Sequence, residues 1–257
     1  LIRMFFFIYS MKFKKHKMKK IILFLMIFSI SFINAQHSWS AYGLKVSPEN
    51  EEMVVKVMED HFSNNKIEGV TVSLYSIMFT PKDLPITHEI IFSGDAENIS
   101  KMYTPDFINL PWQLFSSKIN NYIDDVVFSG NGGRAFNFGP EKPYPFQIVE
   151  IWNSKSWEVL NKWRNNVKSL WTKYPRDYQS FAHGGIAVGG PHSQGNAWNV
   201  RGYETYNDYL NRNQNNRKFN NANPEFIRER DKLNKNMDYS NFTLKTKFMR
   251  MLVKQWK

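Results

Sequence analysis

Gly69-Val70-Thr71-Val72-Ser73-Leu74-Tyr75 and Thr87-His88-Glu89-Ile90-Ile91-Phe92 decide the reading of this chain. Both stretches alternate, which is the period of a strand. Ahead of them, Ser47-Pro48 gives a capping residue followed by the proline that suits a first helical turn. Met53, Val54, Val57, Met58 and Phe62 then recur at helical spacing. A strand over Ser38–Val46 precedes the helix, and Gly94-Asp95 opens a short helix through Ile99, Met102 and Tyr103. The order is strand, helix, strand, strand, helix.

Outward from this unit the pattern weakens and then returns. Phe107–Ile123 reads as helical but is interrupted by Pro111. Val126–Ser129 and Ala135–Phe138 flank Gly130-Asn131-Gly132-Gly133, the signature of a hairpin or loop. Pro140, Pro143 and Pro145 mark a boundary. Beyond it, Phe146–Trp152 reads as a strand, and Ser154 caps a helix carrying Trp157, Leu160, Val167, Leu170, Trp171 and Tyr174 on one face. Tyr178–Val188 and Asn196–Gly202 follow as strands, and Thr205–Asp208 has the form of a capping box. Asn211–Asn223 reads as a polar linker, Pro224–Asn236 as a charged helix, and Phe242–Trp256 as a basic amphipathic helix. The expected organisation is a leader over 1–35, a first α+β unit over 36–140, a second over 141–212, and a linker with basic helices over 213–257.

This doubled order resembles the ferredoxin-like dimeric α/β-barrel superfamily, which includes the antibiotic-biosynthesis-monooxygenase-like and stress-responsive barrel groups. The likeness is best over Ala41–Phe92 and extends over about residues 38–212, without a diagnostic motif. It implies an α+β fold: two tandem ferredoxin-like units pairing their sheets as an internal pseudo-dimeric α/β barrel around a cavity, followed by C-terminal helices. Members of that superfamily include oxygenases without a cofactor, haem-binding enzymes, isomerases and proteins of no known activity. No site of theirs carries over residue by residue.

Charge narrows the function classes. The 257 residues hold 34 Lys+Arg and 23 Asp+Glu, a net charge of +11. Seven of the bases lie within residues 1–35, which hold no acid. Residues 36–210 carry net −4 and residues 211–257 net +8. Met18-Lys19-Lys20, the apolar run Ile21–Ile33 and Ile33-Asn34-Ala35 have the three parts of a secretory signal peptide, so Met18–Ala35 predicts export to the periplasm or exterior. Leu1–Lys17 reads as an upstream extension or as a longer n-region. Cleavage one residue later would expose His37 as a copper-binding N-terminal histidine, but Gln36 is a poor residue for the peptidase. Export, an acidic body and the lack of a binding motif argue against nucleic acid. The chain has no Cys, which removes disulfides and thiol chemistry.

The candidate site residues are four. His88 shares a strand face with Ile86, Ile90 and Phe92, while Glu89 is expected on the solvated face. His183 lies in the corresponding strand beside Gly184 and Gly185. Either histidine could be a general base in a cavity or a satisfied core residue. Glycines there admit a ligand or backbone, or mark a bend. Trp198 and Arg201 could hold an acidic or aromatic ligand at a cavity mouth, or sit in core and solvent. His183 and His192 lack a ligand spacing, so no metal is expected, and no cofactor is predicted. The leading function is small-molecule binding or a structural role through a barrel cavity. The alternatives are a barrel enzyme of oxygenase or isomerase type using a strand histidine, and an envelope-associated protein whose helix Phe242–Trp256 meets a membrane surface or acidic partner.

Overall fold

The computed structural model describes residues 37–140, 142 and 144–257. The leader and signal-peptide segment lie outside these residues. Eight strands, β1 (His37–Lys45), β2 (Val70–Phe79), β3 (His88–Asp95), β4 (Asp125–Phe138), β5 (Phe146–Ser154), β6 (Ser180–Gly189), β7 (Ala197–Tyr203) and β8 (Phe242–Trp256), close into one barrel. Every pairing is antiparallel. The helices are α1 (Glu51–Phe62), α2 (Ala96–Lys101), α3 (Leu110–Asn120), α4 (Trp157–Lys173), α5 (Tyr206–Leu210), α6 (Arg212–Ala222) and α7 (Pro224–Lys235).

Around the barrel the order is β1-β3-β2-β8-β5-β7-β6-β4. Read from β4, the first four strands stand as β4-β1-β3-β2, and the rest as β8-β5-β7-β6, the same order four strands later. Two seams join these groups, β2 with β8 and β4 with β6.

Local chemistry explains most boundaries. Asn109 accepts a hydrogen bond from the Trp112 backbone N–H, and Pro111 falls in the first turn of α3, where no N–H is needed. Pro111 therefore opens a helix and does not interrupt one. Ser156, not Ser154, caps α4 through the Val159 backbone N–H, while Ser154 ends β5 and donates to the Ser156 carbonyl. The capping box at Thr205 and Asp208 is formed as expected.

Three expectations are corrected. Gly130–Gly133 is not a turn but lies in β4, a single strand of 14 residues. The Asn-rich segment expected as a linker is helix α6. Phe242–Trp256 is a strand and not an amphipathic helix, so the membrane-docking helix is not formed. Its backbone N–H and C=O groups are shared between β2 and β5, which closes the barrel.

Both faces of the sheet are covered. Outside, Val72, Leu74, Ile90 and Phe92 pack with Val54, Val57, Met58 and Phe62 of α1. Inside, Ala41, Leu84, Ile86, Phe128, Val149, Ile151 and Phe248 form an apolar plug. The rest of the interior is open.

Candidate functional site

Alternation along each strand puts every second residue inside the barrel. Beyond the apolar plug these inward residues turn polar: Ser73, Glu89, Ser93, Gln147, Arg250 and Gln255 line a cavity of about 640 Å³. Its centre is an ion pair. Arg250 Nη1 donates to Glu89 Oε2, and both residues are buried, at 6% and 3% exposure. Register builds the rest of the cluster. Gln147 lies directly opposite Arg250 across the β5–β8 ladder, and its Oε1 accepts from Arg250 Nε at 2.9 Å and Nη2 at 2.7 Å. Tyr75 lies opposite Glu89, and the guanidinium carbon stands 4.1 Å from the Tyr75 ring centre. Arg250 is thus held on its edge by hydrogen bonds and on its face by a π system.

Two indoles form another part of the wall. Trp39 of β1 and Trp198 of β7 both line the cavity and meet edge to face, centroids 6.2 Å apart. They have room because of glycines. A Cβ at Gly132 would strike the Gly185 carbonyl and the Trp39 ring. One at Gly184 would strike the Gly133 carbonyl and the Trp198 ring. The indole Nε1 atoms of Trp39 and Trp198 are buried and have no hydrogen-bond partner, and the same holds for the Tyr144 hydroxyl on the cavity wall. An unmade hydrogen bond at a buried donor costs about 1–3 kcal/mol.

His37, Arg134, Lys142 and Lys257 also line the cavity. Burial, then the nearby Arg134 charge, hold the His37 imidazole below its ordinary range, with Asp95 opposing. It is therefore neutral at pH 7 and able to accept a proton. The lining carries more positive than negative charge, which favours an anionic or acceptor-rich occupant.

The four residues singled out in the sequence are not brought together. Trp198 faces the cavity. Arg201 lies on the outer face of β7, where it donates to Glu150 at 2.8 Å and covers the Phe181 ring. His88 is buried on the helix-covered face with Nδ1 3.1 Å from the Thr87 hydroxyl, and burial lowers its pKa. His183, 1% exposed, is packed by Phe136 and Trp163. Arg164 Nε donates to its Nε2 at 2.8 Å. Since a guanidinium only donates, Nδ1 carries the proton and donates to Asn199 Oδ1 at 2.8 Å, which fixes the amide with its oxygen toward the ring. Neither His88 nor His183 lines the cavity.

Glu89, expected in solvent, is the buried partner of Arg250. That expectation took the face of Ile90 and Phe92 as the only covered one, whereas helices cover the outside and the barrel encloses the inside. The signal in the sequence was polar residues alternating with apolar ones on strands buried on both faces, at Ser73, Glu89, Gln147 and Arg250.

No family model matches the chain, and no curated protein matches it in sequence. Solved structures do match in fold. An anthrone oxidase-like protein superposes with TM-score 0.54 at 7% identity, covering 87% of this chain and 93% of that one. A provisionally assigned monooxygenase from Fusobacterium nucleatum gives 0.54 at 12% identity over 88% and 96%. At these identities the likeness is one of fold: an α+β chain built on a closed barrel of the ferredoxin-like kind.

The expectation of no cofactor is corrected by the same comparison. A heme-binding protein from Thermus thermophilus is among the matching structures (TM-score 0.45, 8% identity, 86% of this chain and 92% of that one). A histidine holds a haem iron through an imidazole nitrogen with a free lone pair. Both nitrogens of His183 are engaged, and His88 lies on the helix-covered face against Thr87. These two histidines do not fit that group.

Proposed function

We propose that the barrel binds a small, flat organic molecule rich in hydrogen-bond acceptors, anionic or carbonyl-bearing, in the cavity between Trp39, Trp198 and the Arg250 cluster. The observation that carries this reading is the pair of indoles, Trp39 and Trp198, that line the same cavity as Arg250, Arg134, Lys142 and Lys257. The indole rings would pack on the body of the ligand. The excess of Arg134, Lys142 and Lys257 over acids in the lining suits a carboxylate or phenolate. The cavity size is that of an ordinary ligand pocket, roughly 300–1,000 Å³.

The test is a titration of the purified protein with hydroxylated polycyclic aromatic ketones, followed by tryptophan emission. Saturable quenching is expected. Trp198→Ala or Trp39→Ala removes one ring of that wall and should weaken binding roughly tenfold, the equivalent of about 1.4 kcal/mol. Absence of saturable binding across the panel, or affinities unchanged in both variants, would overturn the reading.

A second reading, turnover of that ligand, is favoured by His37. It is a neutral imidazole on the cavity wall, placed to take a proton from a bound C–H or O–H. The names of the fold neighbours point the same way. His37→Gln should then abolish turnover while leaving the quenching titration intact.

The repeated strand order supports a further part of the reading: the barrel is a tandem of ferredoxin-like units forming an internal pseudo-dimer. The three-part pattern of Met18–Ala35 supports another: the protein is exported after cleavage at Ala35. N-terminal sequencing of the envelope and medium fractions should return Gln36, and an uncleaved cytosolic chain would refute export.

A further inference from the structure

A second pocket, of about 410 Å³, lies outside the barrel between the outer face of β5, β7 and β8 and helices α5–α7. Its lining is strongly cationic: Arg176, Arg201, Arg212, Arg230 and Lys247 all contribute. Glu150 answers two of these charges, through Arg201 at 2.8 Å and Lys247 at 3.0 Å. Arg230 is paired with Asp231 at 2.8 Å. Arg176 and Arg212 have no carboxylate partner among the described residues. The guanidinium of Arg176 is instead enclosed by Trp171, Phe219 and Phe226, at 4.9, 4.8 and 5.1 Å from the ring centres. Arg212 rests on the Tyr209 ring at 4.3 Å and donates to its carbonyl.

Such an arrangement is costly without an occupant. Burial disfavours the Arg176 charge most; the neighbouring Tyr178 hydroxyl opposes this, and Arg201 and Arg230 add smaller unfavourable effects. The composition of α6 also finds a reason here. Asn is a poor helix former, yet Asn213, Asn216 and Asn220, three and four residues apart, lie on one face of α6 and line this pocket. The Asn216 Oδ1 already accepts from the Tyr178 hydroxyl at 2.8 Å and from Arg176 Nη1 at 3.4 Å. Amides beside planar guanidinium forks are suited to the many oxygens of a phosphate or carboxylate ligand.

We infer that this outer pocket is a binding site for a small multivalent oxyanion, an organic phosphate or polycarboxylate, held by Arg176, Arg212, Lys247 and the amide face of α6. The site is separate from the barrel cavity and does not depend on the function proposed for it.

The test is thermal unfolding and calorimetric titration of the intact protein with diphosphate and with citrate, against sodium chloride at matched ionic strength. At least one of the two is expected to raise the melting temperature and to give a saturable heat that chloride does not. A response to diphosphate alone assigns an organic phosphate, and to citrate alone a polycarboxylate; either supports the site. Arg212→Gln should weaken that affinity about tenfold, and Arg176→Gln at least as much. Trp198→Phe, in the barrel cavity, should leave it unchanged. Responses no greater than chloride, or equal in wild type and Arg212→Gln, would overturn the inference. Should Arg176→Gln fail to fold, Arg212→Gln and Lys247→Gln still decide it.

Discussion

Glu89 and Arg250 show what a buried charge demands. Taking either into the barrel is costly, and the cost is met only because Gln147 and Tyr75 complete the coordination of Arg250. Breaking one partner leaves the other charged and alone, an effect of about 3–5 kcal/mol. Glu89→Gln is therefore expected to lose stability in urea unfolding on that scale, and Glu89→Leu combined with Arg250→Met to recover much of it. His183 makes a second prediction. Burial holds its pKa down to about 4, from an ordinary 6.5, with Arg164 acting in the same direction and the Asn199 hydrogen bond opposing. Because the folded value is the lower one, the unfolded chain binds the proton first as pH falls. The stabilisation is complete above pH 6.5 and is lost between 6.5 and about 4, amounting to ~3 kcal/mol by linkage. Urea unfolding across that window should show a steeper loss in wild type than in His183→Gln; equal slopes would rule this account out.

At the level of elements, legibility followed the coverage of each strand. The segments from Ser47 to Phe92 were readable because α1 has one apolar stripe and β2 and β3 alternate. β8 was not. Its pairing shifts register against β2 and again against β5, so Leu244, Phe248, Met251 and Leu252 fall at spacings that mimic a helix. β4 was hidden for another reason: its glycines, which mark turns in most strands, here make room for Trp39 and for the neighbouring β6 backbone. α6 was hidden because it has no apolar stripe to set a helical period, Phe219 and Ala222 being its only apolar residues. The status of β8 is directly testable. A chain ending at Asn241 removes the strand between β2 and β5, and is expected to show no cooperative thermal transition and no near-ultraviolet aromatic signal. A folded truncated body would mean that β8 is a dispensable appendage.

For the whole molecule, the charge asymmetry of the sequence acquires a role. Three bases of β8 reach three carboxylates of the preceding body: Lys254 to Glu59 at 2.7 Å, Lys247 to Glu150, and Arg250 to Glu89. The positive tail and the negative body attract one another within one chain, and that attraction lies along the closing strand. The cavity itself was only half legible. A barrel with an interior was foreseeable from the doubled strand–helix order, but which face of each strand is inside depends on pairings between residues far apart in the chain, such as Gln147 with Arg250. Those same distant pairings bear on how the protein is made. β8 is the last of the eight strands to be synthesised, and until it arrives β2 and β5 each present an unpaired edge, the kind of surface that recruits other chains. Closure must wait for these long-range contacts, so folding should be slow by the logic of contact order. A ribosome paused shortly before residue 242 would hold a nascent chain that chaperones engage and that aggregates once released.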